Sequence, residues 1–455
     1  MGADTSTLFT LVWLLLCGAA CCAVALLPAH RVKNPRLRSL AANPFVLVGV
    51  AFVLRIVPAV ALKLTPGALV HFDIDSYRSV GSLMRSGQSI YTDPTRHPYL
   101  PFEAYFMAAA SWLSYHTGDP FTLIVKLPQV LADSLIPAIL LAWTGRGLSA
   151  ARAHWAAWVY ALNPLTILVV SVHGQFDSVP LLFAVSALWL LREPDPALSR
   201  RSVILSGALL GLAILSKTWP LMLVPIAAWQ MRHWPSRALF VACVAAVPLA
   251  GLALYTAVSR TNPMDAIDAA RAYNGFRGGF GYPLLLSKAA ARDLSAAATL
   301  RDIADANRMT ILALGVGLAT LISLRSSIAT AAGVILVSFY VFTPGWGYHY
   351  LVWSLPFLLL GASKSASVSY LAVAGATILV VFYWFGGVYG GVFNYFDPNS
   401  AMIRWRWIVP VPIWLWAVAF FAIAVASSPT LRAFEERLDR LVIPAHRPRR
   451  TPIPR

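Results

Sequence analysis

Charge is scarce in this sequence, and negative charge most of all. Only 12% of the 455 residues are charged, and 19 Asp and Glu stand against 36 Lys and Arg. The cysteines form no pattern, because three lie within the first apolar run and Cys243 within another. A disulfide framework and a cysteine metal site are therefore excluded. An internal repeat is missing as well, and no glycine-rich segment has the spacing of a Rossmann or P-loop signature.

Apolar sequence is abundant in place of charge. Hydrophobic residues make up 58% of the chain, the mean hydropathy is +0.67, and apolar runs near 20 residues recur from end to end. No soluble domain has this composition. The runs are continuous rather than alternating, which favours helices over a β-barrel. We predict an all-α polytopic membrane protein with about 13 transmembrane helices (11–13), forming a single domain over residues 1–430.

The distribution of basic residues predicts the orientation. Arg31, Lys33, Arg36 and Arg38 follow the first apolar run, and other short connections on the same side carry most of the remaining Lys and Arg. By the positive-inside rule this side is cytoplasmic. The N-terminus is then outside, and residues 431–455 form a basic cytoplasmic tail. The net charge of +17 thus reflects topology rather than nucleic-acid binding.

The opposite, outer side carries the long connections, over residues 64–120 and 258–308, and most of the acidic residues. Connections of this length between spans are usually structured or functional. Residues 99–115 have the pattern of a short amphipathic helix that lies on the membrane surface. We therefore expect the active site on the outer face, built from these loops, with 64–120 as the catalytic loop.

The pair Asp73-Ile-Asp75 begins the polar part of the first outer loop. In a helix, Asp73 would share a face with Tyr77, and Asp75 would point elsewhere. One carboxylate can act as a general base on an acceptor hydroxyl, and the pair can also help to hold a divalent cation. The alternative interpretation is a solvated loop that caps the following helix.

A second polar stretch, His173-Gly-Gln-Phe-Asp177, separates two apolar runs by only a few residues. His173, Gln175 and Asp177 crowd donors, acceptors and a charge into one turn. They are candidates to bind sugar or acceptor hydroxyls. Interhelical capping is the structural alternative.

Cations and aromatic residues recur in the other outer connections. These residues could bind a phosphate-bearing ligand. The alternative is structural: the tryptophans and tyrosines would belong to the interfacial aromatic belt, and the prolines near Arg96 and His97 would make the start of the surface helix rigid. The candidates for phosphate binding are Arg96, Lys217, Arg277 and His349, and those for sugar or acceptor binding include Tyr77, His97 and Trp346.

Asp133 stands inside an apolar run, with Lys126 seven residues earlier on the same helical face. An ionisable group at membrane depth normally faces protein and has a partner. Either a packing contact between helices or a catalytic role fits this position.

The order of these motifs over residues 70–225 resembles bacterial relatives of the GPI mannosyltransferase and phosphatidylinositol mannoside mannosyltransferase families, in the GT-C superfamily of membrane glycosyltransferases. The matching segments are Asp73-Ile-Asp-Ser-Tyr77, His97-Pro-Tyr-Leu-Pro101, Lys126-Leu-Pro, Gly174-Gln-Phe-Asp-Ser178 and Lys217-Thr-Trp-Pro220.

This resemblance implies transfer of a sugar, mannose first among the candidates, from a polyprenyl-phosphate donor to a lipid or glycan hydroxyl. It places the catalytic base on Asp73 rather than Asp75 and implies inversion at the anomeric carbon. No cofactor or metal ligand set is expected, although a divalent cation stays open. Glucose, galactose and arabinofuranose stay open as the sugar. The competing functions are a transporter or flippase of a lipid-linked sugar and an accessory envelope subunit.

Overall fold

The computed structural model describes residues 5–26, 35–63, 72–93, 96–144, 148–192, 198–259, 261–272, 281–283, 285–286, 295–381 and 410–434. In these ranges there is no β-strand, and the all-α prediction is confirmed. The α-helices are α1 (Thr5–Leu26), α2 (Pro35–Ala41), α3 (Pro44–Lys63), α4 (Phe72–Arg85), α5 (Phe102–Thr117), α6 (Phe121–Ile124), α7 (Leu127–Leu141), α8 (Ala150–Leu162), α9 (Pro164–Ile167), α10 (Ser178–Leu190), α11 (Arg200–Ser216), α12 (Val224–Trp229), α13 (Trp234–Ser259), α14 (Pro263–Ala272), α15 (Ser295–Ala306), α16 (Arg308–Ile322), α17 (Ile328–Phe342), α18 (Leu351–Gly361), α19 (Lys364–Leu379) and α20 (Pro410–Ala426).

The length and composition of these helices confirm a polytopic membrane protein. Among the described residues, five helical segments are long and apolar enough to cross a membrane, or seven if each of two bent pairs is one span. Three shorter apolar helical segments, Ser178–Leu190, Trp219–Trp229 and Ile328–Phe342, fall below that length. The count of 13 spans therefore stays a prediction.

Serine residues start four of the helices on the side predicted to be cytoplasmic. Each has an extended backbone and accepts a hydrogen bond from the backbone N–H three residues later, which satisfies one of the donors that a helix start leaves unpaired. These N-caps are Ser149, Ser199, Ser327 and Ser363.

Small residues allow close packing between α11 and α13. A Cβ on Gly207 would lie 2.8 Å from the Phe240 carbonyl oxygen, and a Cβ on Gly211 would lie 2.8 Å from the Val244 carbonyl oxygen. The Gly-x-x-x-Gly spacing puts both glycines on one face, so that the two backbones approach closely.

The segment predicted to form the first outer loop has a small core of its own in its described residues. Helices α4 and α5 pack together, and Ile74, Tyr77 and Met107 belong to one buried hydrophobic cluster. The helix predicted over residues 99–115 is confirmed as α5, which ends where Gly118 takes a left-handed conformation with φ 72°. This second core lies beside the helical bundle and carries the Asp73 end of α4.

Candidate active site

The first turn of α4 presents Asp73 to the turn that precedes α10. The Gln175 amide nitrogen donates to Asp73 Oδ2 at 2.7 Å, and the Tyr77 hydroxyl donates to Gln175 Oε1 at 3.0 Å. Asp73 and Tyr77 lie on one helical face, as their i, i+4 spacing predicts. Asp75 lies on the exposed side of the same helix. Asp73 is therefore the carboxylate of the pair that meets the other polar motif.

A break in the span that contains α8 and α9 builds the opposite wall. Asn163 caps α9 by accepting from the Leu165 N–H at 2.7 Å, and the two halves of the span meet at a bend of 40°. After α9 the chain forms a π-helical segment, Leu168–His173, and then turns at Gly174 with φ 83°. His173 Nε2 consequently lies 3.4 Å from Asp73 Oδ2.

Asp177 forms a buried ion pair with Lys217 at the centre of the site. The Lys217 ammonium donates to Asp177 Oδ1 at 2.7 Å, and the Trp353 indole N–H donates to the same oxygen at 2.6 Å. Both charged side chains are almost fully buried. The Lys217 ammonium also faces four aromatic rings at 4.9–5.8 Å from their centroids, those of Tyr99, Phe176, Tyr350 and Trp353.

His349 joins the two carboxylate clusters. Its ring stacks on that of His173 with centroids 5.9 Å apart, and its Nε2 lies 3.9 Å from Asp177 Oδ2. The rings thus form a continuous row between Asp73 and Asp177. This arrangement brings together residues that are far apart in sequence.

Glu103 is a further carboxyl group beside this cluster. It is buried near the start of α5, and the Ser216 hydroxyl donates to it. Burial raises the pKa of Glu103 to about 8, with Asp177 adding to the rise while Ser216 and Lys217 oppose it. Glu103 is therefore mostly protonated at neutral pH and adds little negative charge to the site.

Asp73 has an unusual acidity for an aspartate. Burial raises its pKa to about 6, and Lys217 and the Gln175 hydrogen bond oppose the rise while Asp177 adds to it. The side chain still keeps 28% of its surface exposed, so a second molecule can reach it. A carboxylate of this kind is ionised at pH 7 and is a stronger base than an ordinary aspartate.

The other predicted site residues lie in different surroundings. Arg96 is 37% exposed, and its guanidinium Nε lies 3.4 Å from Asp93 Oδ2. His97 is buried between tyrosine rings, and burial lowers its pKa to about 4, against a hydrogen bond with the Leu100 backbone. Trp346 is fully buried and packs on Tyr340. Arg277 lies outside the described residues.

Asp133 belongs to a separate buried network within the bundle. Its carboxylate is paired with Arg55, and it accepts from Tyr160 at 2.7 Å and from Ser178 at 2.9 Å. Lys126 instead donates to the carbonyls of a neighbouring segment. The sequence allows either a packing contact between helices or a catalytic role for Asp133, and this geometry favours the packing contact.

The sequence analysis did not single out several residues of these clusters, among them Arg55, Glu103 and Trp353. Arg55 lies within an apolar run, where its charge was the signal to search for a carboxylate partner. Glu103 follows Pro101 by two residues at the start of a predicted helix. Acidic residues are common in the first turn of a helix, so its position gave no sign of a role in the site. Nothing in the sequence distinguishes Trp353 from a tryptophan of the interfacial belt. In the part of the chain that the structure describes, no three His, Cys, Asp or Glu side chains are grouped to hold a metal ion.

Comparison with known proteins gives two similar sequences. The chain is 27% identical to GPI mannosyltransferase 1 of Aspergillus oryzae over 199 residues, which is 43% of this chain. It is 28% identical to GPI mannosyltransferase 1 of Aspergillus fumigatus over 192 residues, or 41% of this chain. The resemblance to GPI mannosyltransferases is confirmed. The matches cover 45% and 43% of the two relatives, so the chain spans less than half of their lengths. No protein-family profile and no solved structure matches the chain.

Proposed function

We propose that this protein is a mannosyltransferase that moves mannose from a polyprenyl-phosphate donor to a hydroxyl of a lipid or glycan acceptor. The reaction would take place at the outer face of the membrane, at the Asp73 carboxylate that His173 and Gln175 contact. The observation that carries the proposal is the position of Asp73, which is held by Gln175 yet partly accessible. The similarity to two GPI mannosyltransferases supports mannose as the sugar.

Asp73 acts as the base in this proposal. The acceptor hydroxyl loses its proton to the Asp73 carboxylate, and its oxygen forms a bond to the anomeric carbon of mannose. The bond from that carbon to the phosphate oxygen breaks, and polyprenyl phosphate leaves with the electron pair. A single displacement inverts the anomeric carbon. The phosphate is already a good leaving group, so the reaction needs no strong general acid.

In this proposal Lys217 neutralises the buried Asp177 carboxylate rather than binding the phosphate directly. Its ammonium is committed to Asp177 and enclosed by aromatic rings, which leaves little of it for a ligand. Of the four phosphate candidates, Arg96 is partly exposed and is better placed to meet a phosphate than the almost fully buried Lys217 and His349. Tyr77 holds the Gln175 amide so that its N–H faces Asp73.

The test compares two matched variants, Asp73→Asn and Asp75→Asn, in nanodiscs with radiolabelled decaprenyl-phosphate mannose and a membrane lipid extract. Loss of a general base slows a reaction by about 10²–10⁴-fold, and we expect this loss for Asp73→Asn. Asp75→Asn makes the same chemical change on the exposed side of α4, so its rate should stay close to wild type.

Loss with Asp75→Asn alone would keep the enzyme and overturn the choice of base. A wild-type protein that binds the donor without transferring mannose would favour the transporter or flippase. Equal transfer of mannose by Asp73→Asn and wild type would mean that another group is the base. A wild-type protein that neither binds the donor nor transfers mannose would favour an accessory subunit. A parallel series with a chelator tests whether a divalent cation takes part.

A further inference from the structure

Lys126 is a buried cation that the proposed mechanism does not use. It lies at the break between α6 and α7 and is only 4% exposed. Its ammonium donates to two backbone oxygens, of Ser171 at 3.0 Å and of Val172 at 2.9 Å. Burying an ammonium is costly unless it is paired and hydrogen-bonded, and both of these partners are neutral carbonyls. Such a residue calls for a physical explanation.

The two carbonyls lie at the end of the π-helical segment Leu168–His173. The N–H groups of Gly174 and Gln175 both turn back to the Val169 carbonyl, at 3.0 and 3.1 Å. The last carbonyls of a helix have no partner within the helix, and they carry the negative end of its dipole. Lys126 therefore supplies the donors and the positive charge that this helix end requires.

The aliphatic part of the same side chain packs on the turn. Gly174 has φ 83°, a conformation that favours glycine. A Cβ added there would lie 2.7 Å from Lys126 Cε and 3.1 Å from Lys126 Cγ. The lysine stem thus occupies the space that the glycine leaves vacant, and the two residues define the turn together.

The residues on either side of Gly174 are the ones that hold Asp73. His173 lies 3.4 Å from the Asp73 carboxylate, and Gln175 donates to it at 2.7 Å. We propose that Lys126 is a positioning residue of the active site, which locks the His173-Gly174-Gln175 turn so that both side chains meet Asp73. This inference rests on the proposed function, because it describes how that site is held in place.

Direct contact between Lys126 and the donor phosphate is the competing explanation. Two of the three ammonium donors are already used by carbonyls, and the side chain is only 4% exposed, with its stem against Gly174 of the turn. Asp133, which follows Lys126 by seven residues on the same predicted helical face, is paired with Arg55 instead of Lys126. The geometry therefore favours action through the turn.

The test uses Lys126→Met, which keeps an unbranched side chain and removes the charge and the donors. Misplacement of a catalytic group by about 1 Å can cost about 10²-fold in rate, so we expect kcat to fall by about 10–100-fold with KM for the donor nearly unchanged. The matched control is Lys364→Met, because Lys364 is an exposed lysine at the start of α19, next to the Trp155 ring. It should behave as wild type.

A combined variant separates positioning from direct contact. Because Lys126 is proposed to act through His173 and Gln175, Lys126→Met should cause no further loss of rate when both of these side chains have already been replaced by Ala. Losses that multiply in this triple variant would overturn the proposal, because they would mean that Lys126 acts on the substrate or by its charge alone. A rise in KM with kcat unchanged would overturn it as well.

A measurement without donor keeps this inference separate from the proposed function. The infrared carboxyl stretch of Asp73, assigned by its loss in Asp73→Asn, reports its titration in the purified protein. The charged groups that act on Asp73 are Lys217 and Asp177, and the titratable His173 imidazole lies 3.4 Å from its carboxylate. The hydrogen bond from Gln175 favours the ionised carboxylate, so its loss in Lys126→Met should move the titration to higher pH.

An unchanged titration in Lys126→Met would refute the inference even if wild type transfers mannose. A shifted titration in a protein that transfers nothing would keep the positioning role and refute the proposed function. If Lys126→Met does not fold, Lys126→Gln, which keeps an amide donor, takes its place, and the same shift in smaller degree is expected.

Discussion

Removal of the Arg55 guanidinium should destabilise the helical bundle by about 3–5 kcal/mol, because it leaves the Asp133 carboxylate buried without its cation. Arg55 is fully buried. Besides pairing with Asp133, it donates to the Ala161 carbonyl and to the Thr166 hydroxyl, each at 2.9 Å. The perturbation is Arg55→Met, which fills a similar space with an uncharged, unbranched side chain.

The magnitude follows from the charges and their partners. Opposite charges about 4 Å apart attract by about 4 kcal/mol at an effective dielectric constant of about 20. In Arg55→Met the anion keeps the hydroxyls of Tyr160 and Ser178, which offset part of the loss. Asp133→Asn should cost a similar amount, because it leaves Arg55 unpaired. The double variant Arg55→Met/Asp133→Asn leaves no unpaired charge. Its loss of unfolding free energy should therefore be smaller than the sum of the two single losses by about 1–3 kcal/mol.

The assay is the free energy of unfolding measured by steric trapping in bicelles, for wild type, both single variants and the double variant. Arg152→Met is the matched control, since Arg152 donates to the carbonyls of Leu358 and Ala362 and to the Ser367 hydroxyl, all neutral groups. The free energy of unfolding should fall by only about 1 kcal/mol in Arg152→Met, which is the usual contribution of a hydrogen bond. Equal losses at Arg55 and Arg152, or additive losses in the double variant, would refute the argument.

Three further predictions concern pH dependence and packing in helices α4 and α5. The rate at limiting donor should fall about tenfold per pH unit below pH 6, because Asp73 must be ionised to act as base; a rate profile that stays flat down to pH 5 would contradict this. Burial raises the pKa of Glu103 from 4.5 to about 8, so the folded state holds this proton more tightly than the unfolded state. The free energy of unfolding of the wild type should therefore decline as the pH rises from about 4.5 to 8. The same measurement on Glu103→Gln should show no such decline. A Cβ on Gly81 would lie 2.8 Å from the Met107 carbonyl carbon, so Gly81→Ala should lower the free energy of unfolding by about 1–3 kcal/mol. The control is Gly317→Ala, which should be nearly neutral because no heavy atom lies within 4 Å of the added Cβ.

Local sequence rules predicted the parts of the site that lie on one element. The i, i+4 spacing of Asp73 and Tyr77 placed both on one face of α4, and Gln175 contacts both. The helix predicted over residues 99–115 also agrees with α5. These inferences succeed because helical periodicity depends only on backbone geometry.

Helical periodicity did not predict the partners of buried charges. Lys126 and Asp133 share a helical face by spacing, but the chain breaks between α6 and α7, and each turns to a different neighbour. Lys126 caps a π-helical segment, and Asp133 pairs with Arg55, 78 residues earlier. A partner this distant along the chain is chosen by helix packing, for which no local pattern exists.

The sequence by itself determined that this chain is a polytopic helical membrane protein, because composition and the length of apolar runs decide which solvent each segment can enter. It also determined the order of the polar motifs that carries the resemblance to GPI mannosyltransferases. Only the tertiary structure decided that Asp73 rather than Asp75 meets Gln175, that Lys217 is neutralised by Asp177, and that Glu103 joins them. The physical reason is that burial and charge pairing depend on contacts between distant segments, and these exist only once the helices have packed.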